Sequence, residues 1–154
     1  MRGNNEDRVI AVSGGFDPMH KGHVRMFKNA KALGGKVVAI VNGDNFLMRK
    51  KGYKFMDIDE RMEIVGSIKW VDEVIPAVDE DQTVCKTLEI LKPDIFANGG
   101  DRGVGNVPEK EVCDRLGIEM VYNIGAKAQS SSDLVLSAVD NFLKSRRPEN
   151  DSKA

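Results

Sequence analysis

The chain holds only two histidines, His20 and His23, three residues apart in one glycine-rich stretch, Ser13 to His23 (S-G-G-F-D-P-M-H-K-G-H). On a helical turn that spacing puts both imidazoles on one face. Gly22 between them lets a ligand approach the backbone, and free N–H groups at a helix start favour phosphate. Two imidazoles so placed suit a phosphate that gains charge as it reacts, because N–H donors stabilise developing charge with no covalent step. Incidental loop histidines are the plainer alternative. Zinc held by His20, His23 and Asp17 is a third, but no further Cys or His supports it, so no protein metal ligand is assigned.

Other residue groups bear on the same chemistry. Asn42 to Lys54 carries Arg49, Lys50, Lys51 and Lys54, a cluster that either clamps phosphates or forms a solvated charge run. Arg61 opens a Glu/Arg-rich helix, where a surface ion pair is the default. Ile95 to Arg102 (I-F-A-N-G-G-D-R) holds two glycines that let backbone groups approach a flat ring; a plain turn is the alternative. Ser130, Ser131 and Ser132 begin a helix, either capping it or holding an anion with hydroxyls and N–H groups.

The elements that must position these residues alternate. Short β-branched runs at Arg8–Ser13, Lys36–Val41, Val71–Ala77, Asp94–Ala97 and Ile118–Tyr122 read as strands. Helical spacing runs over His23–Leu33, Asp59–Lys69, Thr83–Leu91, Pro108 to about Leu116, and Leu134–Lys144. Asn42–Asp57 is polar with no clear period. The alternation predicts an α/β fold: a single-domain, Rossmann-like, doubly wound parallel sheet of five strands with helices on both faces. Ligands in such sheets bind at the carboxyl ends of the strands. The expected divisions are an N-terminal extension (1–8), one domain (9–144) and a disordered tail (145–154).

Composition narrows the function classes. With 154 residues, one domain is the natural reading. Net charge is -1, from 23 basic and 24 acidic residues, so a general basic footprint for nucleic acid is missing. Cys85 and Cys113 form no C-x-x-C pair and read as free thiols of a reducing compartment. No run is long and apolar enough for a membrane span, and the first residues lack an apolar signal core. A cytoplasmic protein without membrane insertion is expected.

The segment G-G-F-D-P-M-H-K-G-H resembles the G-x-F-D-x-x-H-x-G-H signature of a nucleotidyltransferase superfamily. Its members include glycerol-3-phosphate, choline-phosphate and ethanolamine-phosphate cytidylyltransferases, and heptose-1-phosphate and pantetheine-phosphate adenylyltransferases. The likeness runs from about Val9 to Val139. It implies that His20 and His23 contact the triphosphate and stabilise the transition state. Gly14, Gly15, Phe16 and Gly22 would line the nucleotide, largely through backbone groups. Asp17 and Lys54 would lie by the acceptor, and Lys50 or Lys51 on the phosphates.

Asp59–Ile75 resembles the family's E-x-R…V-D-x-V segment, which puts Arg61 on a phosphate, while Trp70 looks like packing. Asn98, Gly99, Gly100, Asp101 and Arg102 would hold base and ribose, and Ser130, Ser131 and Ser132 the triphosphate. The resemblance further implies CTP or ATP with Mg2+, a small phosphorylated or phosphonate acceptor, direct in-line attack on the α-phosphate, and a homodimer.

One departure stands out. Cytidylyltransferases of the glycerol-3-phosphate and choline-phosphate types carry Arg-Thr-Glu-Gly before the serine run, where this chain reads Gly125-Ala126-Lys127-Ala128. That keeps adenylyltransferases of the heptose-phosphate or FAD-synthetase type in view. A non-catalytic nucleotide-binding regulatory module is the reading from another class, and the intact H-x-G-H argues against it.

Overall fold

Five short runs become strands in the computed structural model: β1 (Val9–Gly14), β2 (Lys36–Val41), β3 (Glu73–Pro76), β4 (Ile95–Ala97) and β5 (Glu119–Val121). The structure describes residues 7–99, 107–122, 124–125 and 129–146. All strand pairs are parallel, in the order β3-β2-β1-β4-β5. The chain winds outward from β1 to β3, then passes back over β1 to β4 and β5. That reversal opens a crevice at the carboxyl ends of β1 and β4, the place where open α/β sheets bind ligands.

Parallel strands need crossovers, and six helices are described: α1 (Lys21–Ala32), α2 (Asp44–Lys51), α3 (Ile58–Gly66), α4 (Cys85–Leu91), α5 (Val107–Leu116) and α6 (Ser131–Ser145). Alternation along β1 sorts the core into two layers. Ile10 and Val12 pack with Met26, Phe27 and Ala30 of α1 and Val65 of α3. Ala11 faces the other way, with Leu88 of α4 and Val112 and Cys113 of α5. β2 is buried from Val37 through Val41, so its run is apolar without alternation, as a strand covered on both faces requires. Each of its Val and Ile side chains contributes about 1.5–3 kcal/mol by leaving water.

The doubly wound sheet agrees with the sequence expectation, with one element added. Asn42–Asp57 contains α2, which buries only Leu47 and so has almost no apolar period to announce it. Gly52, at φ +80°, ends it, its N–H donating to Met48 O. Two helices also start earlier than their apolar spacing suggests, because their first turns are polar: α1 at Lys21 and α6 at Ser131. Trp70 is half-buried and packs against the α1/α3 layer, with the ammonium groups of Lys28 and Lys69 over its ring. Cys85 and Cys113 are free thiols. Among the described residues no helix is long and apolar enough to cross a membrane. Gly100, Asp101, Arg102 and the segments 1–6 and 147–154 lie outside the described residues.

Candidate active site

β1 ends in a turn whose two glycines leave room for close side-chain packing. A Cβ on Gly14 would come 3.0 Å from the Phe16 ring, and one on Gly15 would come 2.7 Å from Leu47 Cδ2 on α2. The two glycines therefore let the Phe16 ring fold back against the strand end and let α2 close over it. Phe16 sits at φ +52°, a strained position for a non-glycine residue. Packing holds it there: its ring lies 5.3 Å from Phe27 and 5.0 Å from His23, centroid to centroid.

The two histidines cap α1 reciprocally. His20 Nδ1 accepts from Gly22 N–H at 3.1 Å, and His23 Nδ1 accepts from His20 N–H at 3.2 Å. An Nδ1 that accepts a hydrogen bond carries no proton, so each neutral ring keeps its proton on Nε2. The rings stack with centroids 3.9 Å apart, an arrangement two imidazolium cations would resist. Burial, then the neighbouring His20 and Lys51 charges, push the His23 pKa down to about 3. Burial and Lys51 lower that of His20 as well. The pair is thus two neutral N–H donors held by backbone.

A cavity of about 350 Å3 opens beside them. Gly14, Gly15, Phe16 and His23 line it, as do Lys50 and Lys51 of α2 and Ser131 of α6. Burial holds the Lys51 ammonium below its ordinary pKa, opposed by Asp17 and reinforced by Arg61. The Lys50 ammonium lies 5.6 Å from the Phe46 ring centre. The Ser131 hydroxyl donates to Pro18 O at 2.7 Å, which ties α6 to the β1 loop. Ser130 caps α6 by accepting from Asp133 N–H, and Ser132 Oγ accepts from the Tyr53 hydroxyl. Asn98 follows β4 on the cavity wall, and Gly99 lies against Met26.

Three residues expected at the ligand are bonded to other groups of the protein. Arg61 is fully buried. Its guanidinium donates to Met56 O (2.9 Å), Gly15 O (2.8 Å), Asn42 O (2.6 Å) and Asp44 Oδ1 (2.7 Å). Asp17 is also fully buried, its two oxygens accepting from Phe55 N–H (2.6 Å) and Met56 N–H (2.7 Å). The Lys54 ammonium pairs with Asp57 at 2.5 Å and Asp44 at 3.7 Å. Together they lash the β1 loop, the β2 end and the 52–57 connection into one frame under the cavity.

The sequence reading missed Asn42, Gln82, Thr83 and Glu109, which also line the cavity. Asn42 directly follows β2 and Glu109 lies in the first turn of α5, so strand-end and helix-start position was the available signal. Among the described residues no three His, Cys, Asp or Glu side chains converge as a metal cage.

A family model for cytidylyltransferase-like domains matches residues 11–123. Similar curated proteins include the Bifunctional protein HldE of Blochmanniella pennsylvanica (strain BPEN), 31% identical over 132 residues, covering 84% of this chain and 27% of that protein. The Bifunctional protein HldE of Helicobacter pylori (strain P12) is 35% identical over 115 residues, covering 71% of this chain and 24% of that protein. The chain thus spans about a quarter of these relatives' length. Among solved structures, a lipopolysaccharide core biosynthesis protein from Thermoplasma volcanium GSS1 superposes with a TM-score of 0.62 at 27% identity, covering 75% of this chain and 94% of that one.

Proposed function

The chain belongs to the cytidylyltransferase-like family and is a nucleotidyltransferase; we propose that it moves CMP or AMP from CTP or ATP onto a small phosphorylated acceptor and releases pyrophosphate. The observation that carries this reading is the backbone-locked pair of neutral histidines at the head of α1, of which His23 lines the switch-point cavity together with Lys50 and Lys51 of α2.

An acceptor phosphate oxygen, already anionic near neutral pH, attacks the α-phosphorus in line. The new P–O bond forms as the bond to the bridging oxygen of pyrophosphate breaks, and the electron pair leaves with pyrophosphate. No protein nucleophile or strong base is required. His20 and His23 donate from Nε2 to phosphate oxygens as charge builds, in geometry set before the reaction begins. Lys50 and Lys51 supply positive charge, and Ser130, Ser131 and the α6 N-terminus border the triphosphate. Asp17, Arg61 and Lys54 act as positioning residues that hold the loops bearing those groups. Bound magnesium would neutralise charge on the nucleotide's phosphates. Gly125–Ala128 replaces the arginine motif of the cytidylyltransferases, which makes ATP the first nucleotide to test.

We also propose a homodimer. Leu136, Val139, Phe142 and Leu143 leave an apolar stripe of α6 exposed. Asp133 near its start and Lys144 near its end would complement each other across an antiparallel pair. Light scattering that finds only monomer at micromolar concentration would dispose of it.

The activity is tested by pyrophosphate release with magnesium, pairing CTP, ATP, GTP and UTP with a panel of sugar, polyol, alcohol-amine and flavin phosphates and phosphonates. Release requiring both an acceptor and one NTP is the expected result. Tight NTP binding with no release from any pair would overturn the assignment in favour of a nucleotide-binding regulatory module.

A further inference from the structure

The cavity lining mixes two chemistries: basic groups from Lys50 and Lys51 beside His23, and uncharged or acidic groups from Gln82, Thr83 and Glu109. Three buried side-chain atoms among the described residues have no hydrogen-bond partner: Asn42 Oδ1, Asn98 Nδ2 and Glu109 Oε2. All three residues border this one cavity. Buried polar atoms are nearly always bonded, so three orphans around one space point to a missing ligand.

Glu109 is the most telling. It is 7% exposed, and its other oxygen, Oε1, accepts from Val84 N–H at 3.4 Å. That contact fixes the carboxylate and leaves Oε2 for something else. Burial, and the Asp79 and Asp81 carboxylates, push its pKa up. The protein therefore keeps an acidic group here at a cost, in surroundings that repel a phosphate.

We propose that Glu109 is a specificity-determining residue whose free oxygen accepts a hydrogen bond from a hydroxyl at the end of the acceptor remote from its phosphate. The assignment rests on the transferase reading for which substrate occupies the cavity. Its chemistry comes from the orphans. Glu109 and Asn42 need donors, whereas the Asn98 amide needs an acceptor. Hydroxyls are both, while an ammonium group would satisfy only the first two. A flat base is the poorer fit, because Phe96 beside the site is 2% exposed and offers little ring face for stacking. The acceptor class this selects is a polyol or sugar phosphate, with an anionic group for the lysines and hydroxyls for Glu109.

Calorimetry on the full chain tests this, with wild type and Glu109→Gln each saturated with a non-hydrolysable NTP analogue. Glu109→Gln keeps the side chain's size and removes a buried charge, so its thermal midpoint should not fall. Glycerol 3-phosphate or a hexose 1-phosphate should bind the variant about tenfold or more weaker, the usual scale for losing a bond to a charged acceptor. Propyl phosphate, which lacks the hydroxyls, should bind both proteins alike, and the affinity for the NTP analogue should be unchanged. Equal affinity of both proteins for the hydroxylated phosphates, or no binding of them by wild type, overturns the proposal. A loss confined to the nucleotide also overturns it, by placing the base at Glu109. Pyrophosphate release with hydrolysable NTP separates the two readings: binding without turnover in wild type sinks the transferase assignment, while the role of Glu109 stands or falls on the affinity ratio.

Discussion

Replacing Arg61 by methionine keeps most of the side chain's apolar volume and deletes the guanidinium. Three main-chain carbonyls, Gly15 O, Asn42 O and Met56 O, then lose their buried donor. An orphaned buried acceptor costs about 1–3 kcal/mol. Two of the three sit where water can partly follow, so the low half of that range gives roughly 3–6 kcal/mol in total. Asp44 adds little, since it is partly exposed and keeps Lys54 as a partner. Stabilities of about 5–15 kcal/mol are usual for domains, so a large share of the margin is at stake. Urea denaturation followed by circular dichroism reads the loss as a lower midpoint at unchanged slope. Arg61→Lys, a point charge without the fork, should recover only part of it. A midpoint within about 1 kcal/mol of wild type for Arg61→Met, together with a raised KM for nucleotide, would refute the reasoning and return Arg61 to the phosphate.

Nuclear magnetic resonance on the nucleotide-free protein should show His23 neutral, with its proton on Nε2, down to about pH 4, because its folded pKa lies at about 3 rather than at the ordinary 6.5. The unfolded chain takes up that proton first, so this contribution is fully present above pH 6.5 and is lost as pH falls from there toward about 3. A His23 that titrates near 6.5, or carries its proton on Nδ1, would show that the cap does not hold. His20→Ala and His23→Ala should each lower kcat by about 10²–10³, and activity within a few-fold of wild type would remove them from the chemistry. Asp17→Asn can accept from only one of the Phe55 and Met56 N–H groups and points an amide at the other. Its midpoint should drop by roughly 2–3 kcal/mol, with both KM values raised, and an unperturbed midpoint would place Asp17 at the acceptor after all.

What could be read from the sequence was whatever rests on local pattern. β-branched runs alternating with amphipathic ones dictated a parallel sheet, and the only two histidines fell beside glycines at its first strand end. α2 stayed hidden because a helix that buries Leu47 alone leaves no period. The frame beneath the site was illegible for a different reason. Arg61 and Asp17 are charged, lie in motifs that resemble ligand-binding ones, and could be weighed only as surface or ligand groups. Arg61's partners are carbonyls of residues 15, 42 and 56, which carry no sequence signature because every residue has one. Glu109 escaped for the same cause: it lies 25 positions from Val84, which fixes its carboxylate, and no spacing rule connects them. The groups proposed to act on phosphate are set by local turns and can be found in one dimension. The groups that hold those turns, and Glu109, proposed to select the acceptor, are set by contacts between segments far apart in the chain. Substrate choice is therefore the property the sequence conveys least, and the one for which three unpaired atoms in a single cavity are the better guide.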